Sequence, residues 1–278
     1  MTLTTNDRSS NPYALGHRND ELQRLIDQGG FLGELSASFL ELAGVRPGMR
    51  VLDVGCGAGD LSFLAASLVG ADGSVTGIDR STEAIEVGRQ RAASAALTNV
   101  SFMAGDVLQH LPEAPYDAVI GRLVLMYLPD PAAGLRQVAS LARVGGLVTF
   151  HEFDLESPKT EPFCPLFGQV MDWMRAAFTR VGADVRMGPR LGRVFEAAGL
   201  PLPQMRLAAR VERGPDAAVY QQIAGITRTL LPVMERTGVA TAAEVDIETL
   251  ADRLRQQAHE QDATIIAPSL IAAWARRA

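Results

Sequence analysis

The chain has 278 residues, 47% hydrophobic, 21% charged and 6% aromatic, and its 26 Lys and Arg stand against 32 Asp and Glu for a net charge of −6. This composition excludes a largely disordered chain, and an acidic balance with few aromatics excludes a general nucleic-acid binder, which needs basic stripes or stacking platforms. With no apolar run of about 18 residues, no signal-peptide core at the start, and only Cys56 and Cys164 for disulfides or zinc, the expectation is a cytoplasmic protein without membrane, nucleic-acid or metal partners.

Residues 1–12 are polar and end in Asn11-Pro12, which reads as a flexible tail. Helical spacing follows at 19–27 and again at 31–43, where Phe31, Leu35, Phe39 and Leu42 share one face. Gly44 closes the second helix and Pro47-Gly48 turns the chain. Short apolar runs at 50–54, 74–78, 100–104, 117–120 and 147–150 read as strands buried on both faces, as in a parallel sheet. Helical patterns at 61–68, 82–95 and 131–141 lie between them; Ser81 stands as N-cap of the middle one, with Glu83 in its first turn. Strand and helix in strict turn predict a doubly wound α/β fold. Beyond residue 155 the pattern changes to helices at 166–181, 190–198, 216–236 and 242–260, with strands at 205–211 and 270–275.

The segment Val51-Leu52-Asp53-Val54-Gly55-Cys56-Gly57-Ala58-Gly59-Asp60 carries the most information. It lies where the first strand turns into a helix, the crevice position for ligands in open α/β sheets, and its glycines let a ligand approach the backbone. A dinucleotide fingerprint needs G-x-G-x-x-G; here Asp60 stands in place of the last glycine, and its charge would repel a diphosphate. Asp53 is a second mismatch, because an unpaired acid at a buried strand end is costly unless the ligand brings a cation such as an α-ammonium. Asp79 follows at the end of the second apolar run, about 20 residues on, where an acid accepts hydrogen bonds from ribose hydroxyls. Asp106, at the end of the third run, can accept from an exocyclic amine such as that of adenine. An amino-acid head, a ribose and an adenine together describe S-adenosylmethionine.

The segment from Asp53 to Gly59, then Asp79, Gly105-Asp106 and the strand Tyr116-Asp117-Ala118-Val119-Ile120, resemble in order and spacing the motifs of class I S-adenosylmethionine-dependent methyltransferases, over about residues 13–155. The resemblance implies a Rossmann-like, mostly parallel seven-stranded sheet whose last strand is antiparallel, which suits 270–275. It assigns Gly55 and Gly57 to the methionine part of the cofactor, Asp79 to the ribose, and Asp106 with the Val107 backbone to adenine. It also implies that Arg80 covers an adenine face, that Arg122 lies beside the methionine end and that Tyr13 closes over the cofactor. An Asn-Pro-Pro-aromatic run, found after the fourth strand in enzymes acting on amino groups of nucleobases or glutamine, is replaced here by Gly121-Arg122-Leu123-Val124. Tyr127-Leu128-Pro129-Asp130-Pro131 resembles the corresponding stretch of small-molecule enzymes. Glu152-Phe153 resembles the segment after strand five in ubiquinone/menaquinone-type methyltransferases, although the long helical insertions argue against that identity.

Methyl transfer from a sulfonium is an in-line displacement, for which alignment alone is worth up to roughly 7–11 kcal/mol; a hydroxyl or amine acceptor would gain from a general base. His151 and Glu152, expected just past strand five, and Tyr127, past strand four, are the candidates for such a base, each against a packing or capping role. His17, His110 and His259 share no metal-ligand spacing, and Cys56 is expected to pack against the cofactor. The stripe Phe167, Met171, Met174 and Phe178 reads as packing or as a lid; Arg186 and Arg190 read as solvated charges or as acceptor-carboxylate ligands. The expected organisation is a tail at 1–12, a cofactor-binding core at 13–154, a helical lid at 155–190, and completion of the sheet at 191–278 with a helical insertion at about 212–262. The reading is a methyltransferase for a small organic acceptor, at oxygen first and nitrogen or carbon next, with a homo-oligomer left open. Its rivals are an NAD(P)-dependent oxidoreductase, which Asp53 and Asp60 disfavour, and a non-catalytic S-adenosylmethionine-binding protein, which shares the same motifs.

Overall fold

The computed structural model of the chain describes residues 19–109 and 115–278, with side chains from residue 30 onward. The expected tail, Tyr13, His17 and His110 lie outside the described residues. Strands β1 (Arg50–Val54), β2 (Ser74–Asp79), β3 (Val100–Ala104), β4 (Tyr116–Arg122) and β5 (Ala142–Asp154) alternate with helices α2 (Asp60–Val69), α3 (Thr82–Ser94) and α4 (Pro131–Ala139). The runs of β1, β4 and the second half of β5 are buried on both faces because helices cover the sheet on each side, whereas β3, expected to be buried likewise, is an edge strand with only Phe102 buried. The expected N-cap is present: Ser81 accepts the Ala84 N–H at 3.1 Å.

After β5 the chain forms β6 (Lys159–Glu161), α5 (Pro165–Arg180), α6 (Met187–Ala197), β7 (Gln204–Ala208) and β8 (Val211–Arg213), then α7 (Val219–Thr237), α8 (Ala242–Val245), α9 (Leu250–Glu260), β9 (Thr264–Ile266) and β10 (Ser269–Arg276). The main sheet has the order β3-β2-β1-β4-β5-β10-β7. β1 to β5 run parallel, and β10 is antiparallel to both β5 and β7. Strand order reverses between β1 and β4, so a ligand crevice is expected at their carboxyl ends. On one face, Leu32, Phe39 and Leu40 of α1 (Asn19–Ala43) pack with Val51, Ile120 and Trp274. On the other, Phe150, Leu135, Leu191 and Phe195 belong to the larger core.

Four other local expectations need correction. The two N-terminal helices are one, α1, which runs on through Gly29 and Gly30; each mid-helix glycine costs about 1 kcal/mol, and burial of the Leu32–Phe39–Leu40 face outweighs it. The expected strand at 205–211 is divided: 204–208 forms the sheet edge, whereas 211–213 joins a separate antiparallel sheet of order β6-β9-β8. The expected helix at 242–260 breaks at Asp246, whose φ of 42° is left-handed. Strand five spans 142–154 rather than 147–150, because β10 pairs with it as far as Asp154. Beyond the sheet, α5 packs on α7 and α9, with Phe167, Met171, Met174 and Phe178 all buried. No helix among the described residues is long and apolar enough to cross a membrane.

Candidate cofactor crevice and the pair beside it

At the end of β1 the chain passes through Gly55 (φ 67°), Gly57 (φ 53°) and Gly59 (φ 92°) into α2. Two of these positions also lack room for a side chain: a Cβ on Gly55 would lie 2.6 Å from Val124 Cγ2, and one on Gly59 2.6 Å from Phe102 Cζ. The turn is tied to β2, since Gly55 N and Cys56 N both donate to the Ile78 carbonyl, at 2.8 and 3.1 Å. Asp79, the last residue of β2, accepts Gly57 N on Oδ2 and Ser81 N on Oδ1, each at 2.9 Å. The Asp79 carbonyl in turn accepts Gly105 N at 2.8 Å. Three strand ends are thus joined through one aspartate. Next to it, Asp106 accepts Leu108 N on Oδ1 at 2.9 Å and Gln109 Nε2 on Oδ2 at 3.2 Å. Arg80, 69% exposed, stands 3.7 Å from Asp106 Oδ2, and Val107 is buried beside it.

Three expectations for this turn change. Asp53 is more enclosed than expected: it is 1% exposed at the end of β1, where the turn begins. Its Oδ2 accepts Ser62 Oγ at 2.6 Å, and Oδ1 has no partner among the described residues. Burial pushes its carboxyl up to about 7, against the lowering effects of Ser62 and then Arg122. Asp60 does not face an incoming diphosphate; it pairs with Arg91 at 2.8 Å, and Arg91 also donates to the Ala58 carbonyl at 2.7 Å. Its charge is therefore answered within the chain and no longer weighs against a dinucleotide. The Cys56 thiol points away from the crevice into a cluster with Ile85, Ala92 and Phe102; burial holds it well above the usual thiol range, so only its backbone borders the crevice.

Arg122, the last residue of β4, donates from Nη1 to Ser36 Oγ on α1 at 3.0 Å. Burial lowers its pKa, and the nearby charges of Asp60 and Asp53 raise it. Ser36, Ser62 and Val124 did not stand out in the sequence. Ser36 had a signal: it is a polar residue within the apolar stripe of an amphipathic helix, and it is fully buried.

The expected bases His151 and Glu152 lie inside β5, not beyond it. His151 is opposite Arg122 on one side and Ala272 on the other, is fully buried, and meets Phe39 edge-on at 5.3 Å between ring centroids. Neither ring nitrogen has a partner among the described residues. Burial, and then the Arg122 charge, lower its pKa to about 3. A fully buried ring with so low an affinity for a proton is a poor general base. Glu152 points to the opposite face and accepts Val124 N at 2.9 Å and Leu125 N at 2.7 Å on Oε1. Burial pushes it up to about 8 despite these backbone donors. It caps a 3-10 turn, Leu125–Tyr127, rather than facing an acceptor. Tyr127 is half-buried against the larger core, and Arg190 is paired with Asp184 at 2.5 Å.

A family profile described as a methyltransferase domain matches residues 46–199. A demethylmenaquinone methyltransferase of Staphylococcus aureus (strain MRSA252) is 36% identical over 129 residues, 46% of this chain and 50% of that one. The aklanonic acid methyltransferase DauC of Streptomyces sp. (strain C5) is 34% identical over 121 residues, 43% of this chain and 55% of that one. The chain thus spans about half the length of the curated relatives it matches. Among solved structures, the YcgJ protein of Bacillus subtilis aligns over 88% of this chain and 99% of its own with a TM-score of 0.59 at 18% identity, a likeness of fold. A putative methyltransferase of Bacillus halodurans C-125 aligns over 87% and 98% with a TM-score of 0.57 at 14% identity, again a likeness of fold. With the profile covering more than half of the chain and the glycine turn, Asp79 and Asp106 in their expected order along the sheet, the chain belongs to the class I S-adenosylmethionine-dependent methyltransferase family.

Proposed function

We propose that the protein transfers the methyl group of S-adenosylmethionine to a small organic acceptor, with oxygen as the receiving atom. The observation that carries the reading is the buried, partnerless Oδ1 of Asp53 at the start of a glycine turn with no room for side chains. A carboxylate in that position is costly alone and is matched by a cationic amino-acid head, which a dinucleotide lacks. The backbone of Gly55, Cys56 and Gly57 would hold the methionine part, with Arg122 at its carboxylate end. Asp79, whose oxygens each accept one backbone N–H, retains lone pairs for ribose hydroxyls. Asp106 and the Val107 backbone would read adenine, and Arg80 would lie across its face.

When bound, S-adenosylmethionine supplies a methyl group already activated on a sulfonium sulfur. The chain's share is to align the acceptor and keep water out, worth up to roughly 7–11 kcal/mol. With His151 and Glu152 buried, a neutral acceptor would give its proton to solvent or through Tyr127, and an acceptor that arrives ionised needs no base. The segments 155–190 and 212–262 are proposed to roof the acceptor. Two relatives named for demethylmenaquinone and aklanonic acid support an organic acceptor of modest size. Thermal unfolding tests the cofactor directly: a ligand at 100 times its Kd adds about 2.7 kcal/mol of stability. S-adenosylhomocysteine is expected to raise the Tm and NADH to leave it unchanged; the reverse overturns the reading. Labelled methyl transfer into an acceptor library then separates an enzyme from a cofactor-binding protein without turnover.

A further inference from the structure

The segment that follows β4 forms one wall of the crevice, yet its shape is not dictated by its own sequence. It leaves the strand through Leu123, whose φ of +57° is a left-handed conformation that a leucine adopts only when its surroundings impose it. The next two backbone N–H groups turn inward, away from water, where each would cost roughly 1–3 kcal/mol without an acceptor. Leu123 N itself is held by the His151 carbonyl at 2.8 Å. Those of Val124 and Leu125 converge on one atom, Glu152 Oε1, at 2.9 and 2.7 Å.

Glu152 is a rigid anchor. It sits in β5 opposite Ile271 of β10, and the start of α6 lies on its backbone, so close that a Cβ on Gly188 would come within 2.8 Å of the Glu152 carbonyl oxygen. The far end of the wall is pinned as well, where Asp184 N donates to the Met126 carbonyl at 2.8 Å. Held in this way, Val124 presses its Cγ2 to within 2.6 Å of the place a Gly55 Cβ would take.

We propose that Glu152 is a positioning residue: by gathering the Val124 and Leu125 N–H groups it holds Val124 against Gly55 and so fixes the methionine end of the cofactor crevice. It touches neither cofactor nor acceptor. The proposal rests on the cofactor reading given above. Only one oxygen of the carboxyl accepts a hydrogen bond, and the other is buried with no partner among the described residues. Glutamine, of the same shape and with one accepting oxygen, should therefore replace it, whereas a shorter side chain should not.

The test is the Kd of S-adenosylhomocysteine, by calorimetry, for wild type, Glu152→Gln, Glu152→Ala, Val124→Gly and the double variant Glu152→Ala/Val124→Gly. Glu152→Gln should stay within about threefold of wild type, and Glu152→Ala and Val124→Gly should each lose about tenfold or more. The double variant should lose no more than the worse single one, because both act through one contact. If Glu152→Ala does not fold, Glu152→Asp replaces it in both the single and the double variant; it draws the carboxylate back by one methylene and should lose affinity in the same direction. Amide exchange at Val124 and Leu125 should be at least about tenfold faster in the shortened variant than in Glu152→Gln. A folded shortened variant with wild-type affinity, additive losses in the double variant, or unchanged exchange overturns the proposal. Wild type that fails to bind S-adenosylhomocysteine sinks the cofactor reading, and this proposal with it.

Discussion

The acids at the ends of β2 and β3 and the polar pair in β5 look alike in sequence but meet different fates. Asp79 is the last residue of its strand and Asp106 lies two residues past the end of β3, so each carboxylate emerges into the crevice. His151 and Glu152 also follow an apolar run, but β5 does not stop there, because β10 extends the pairing to Asp154. The same kind of residue is therefore left at a strand end, where we propose that it meets the cofactor, in one place and enclosed as an internal support in the other. What separates them is where pairing stops, and for β5 that is decided by a strand more than 100 residues away in sequence.

Substitutions can break or sharpen this contrast. The largest effect is expected at Asp79→Ala, which removes the proposed ribose acceptor and releases Gly57 N and Ser81 N together. The Kd for S-adenosylhomocysteine, measured by calorimetry, should rise by about 10- to 100-fold; an unchanged value would show that this acid only braces the turn. Gly59→Ala places a Cβ against Phe102 at a left-handed φ and should destabilise the fold by roughly 1–3 kcal/mol in urea unfolding. A neutral result would mean that the turn relaxes freely.

The buried pair and Asp53 predict a pH dependence with opposite limbs. The folded-state values of Asp53 and Glu152 are raised, to about 7 and about 8, so their stabilising share is complete below about pH 4 and is lost as pH rises through 7 to 8. The folded-state value of His151 is lowered to about 3, so its share is present above about pH 6.5 and is lost as pH falls toward 3. Tm of the ligand-free protein should decline as pH rises from about 6 to 8, less steeply in Glu152→Gln, and His151→Phe should soften the acid limb. A Glu152→Gln profile that overlays the wild type would argue against a buried titrating carboxyl. The smallest effect is expected on turnover of His151→Phe: methyl transfer to whichever acceptor the library yields should change less than about threefold, where loss of a general base would cost 10²–10⁴.

Much of this was legible in the chain itself. The alternation of β1 to β4 with their helices, the Ser81 cap and the acids at the ends of β2 and β3 are local patterns, and local patterns survive folding. Two polar residues after a run of Leu, Val, Thr and Phe read as a strand end, and only the distant β10 shows otherwise. Asp60 resembled a charge facing a ligand until Arg91 of α3 answered it. Strands of three residues, such as β6, β8 and β9, are too short for alternation to register. Ser62 meets Asp53, and Ser36 meets Arg122, only because two helices cross the sheet at particular angles. The sequence thus carries the crevice, while its supports arise from long-range packing.

The cofactor proposal turns on the carboxylate of Asp53 answering a cationic amino-acid head. Calorimetric titration with S-adenosylhomocysteine at pH 7, in two buffers of unlike ionisation enthalpy, tests it most directly. Asp53, near half-protonated when alone, should ionise on pairing and release up to about half a proton per molecule bound. That release should vanish in Asp53→Asn. Binding with no proton exchanged, or heat from NADH and none from S-adenosylhomocysteine, would contradict the account.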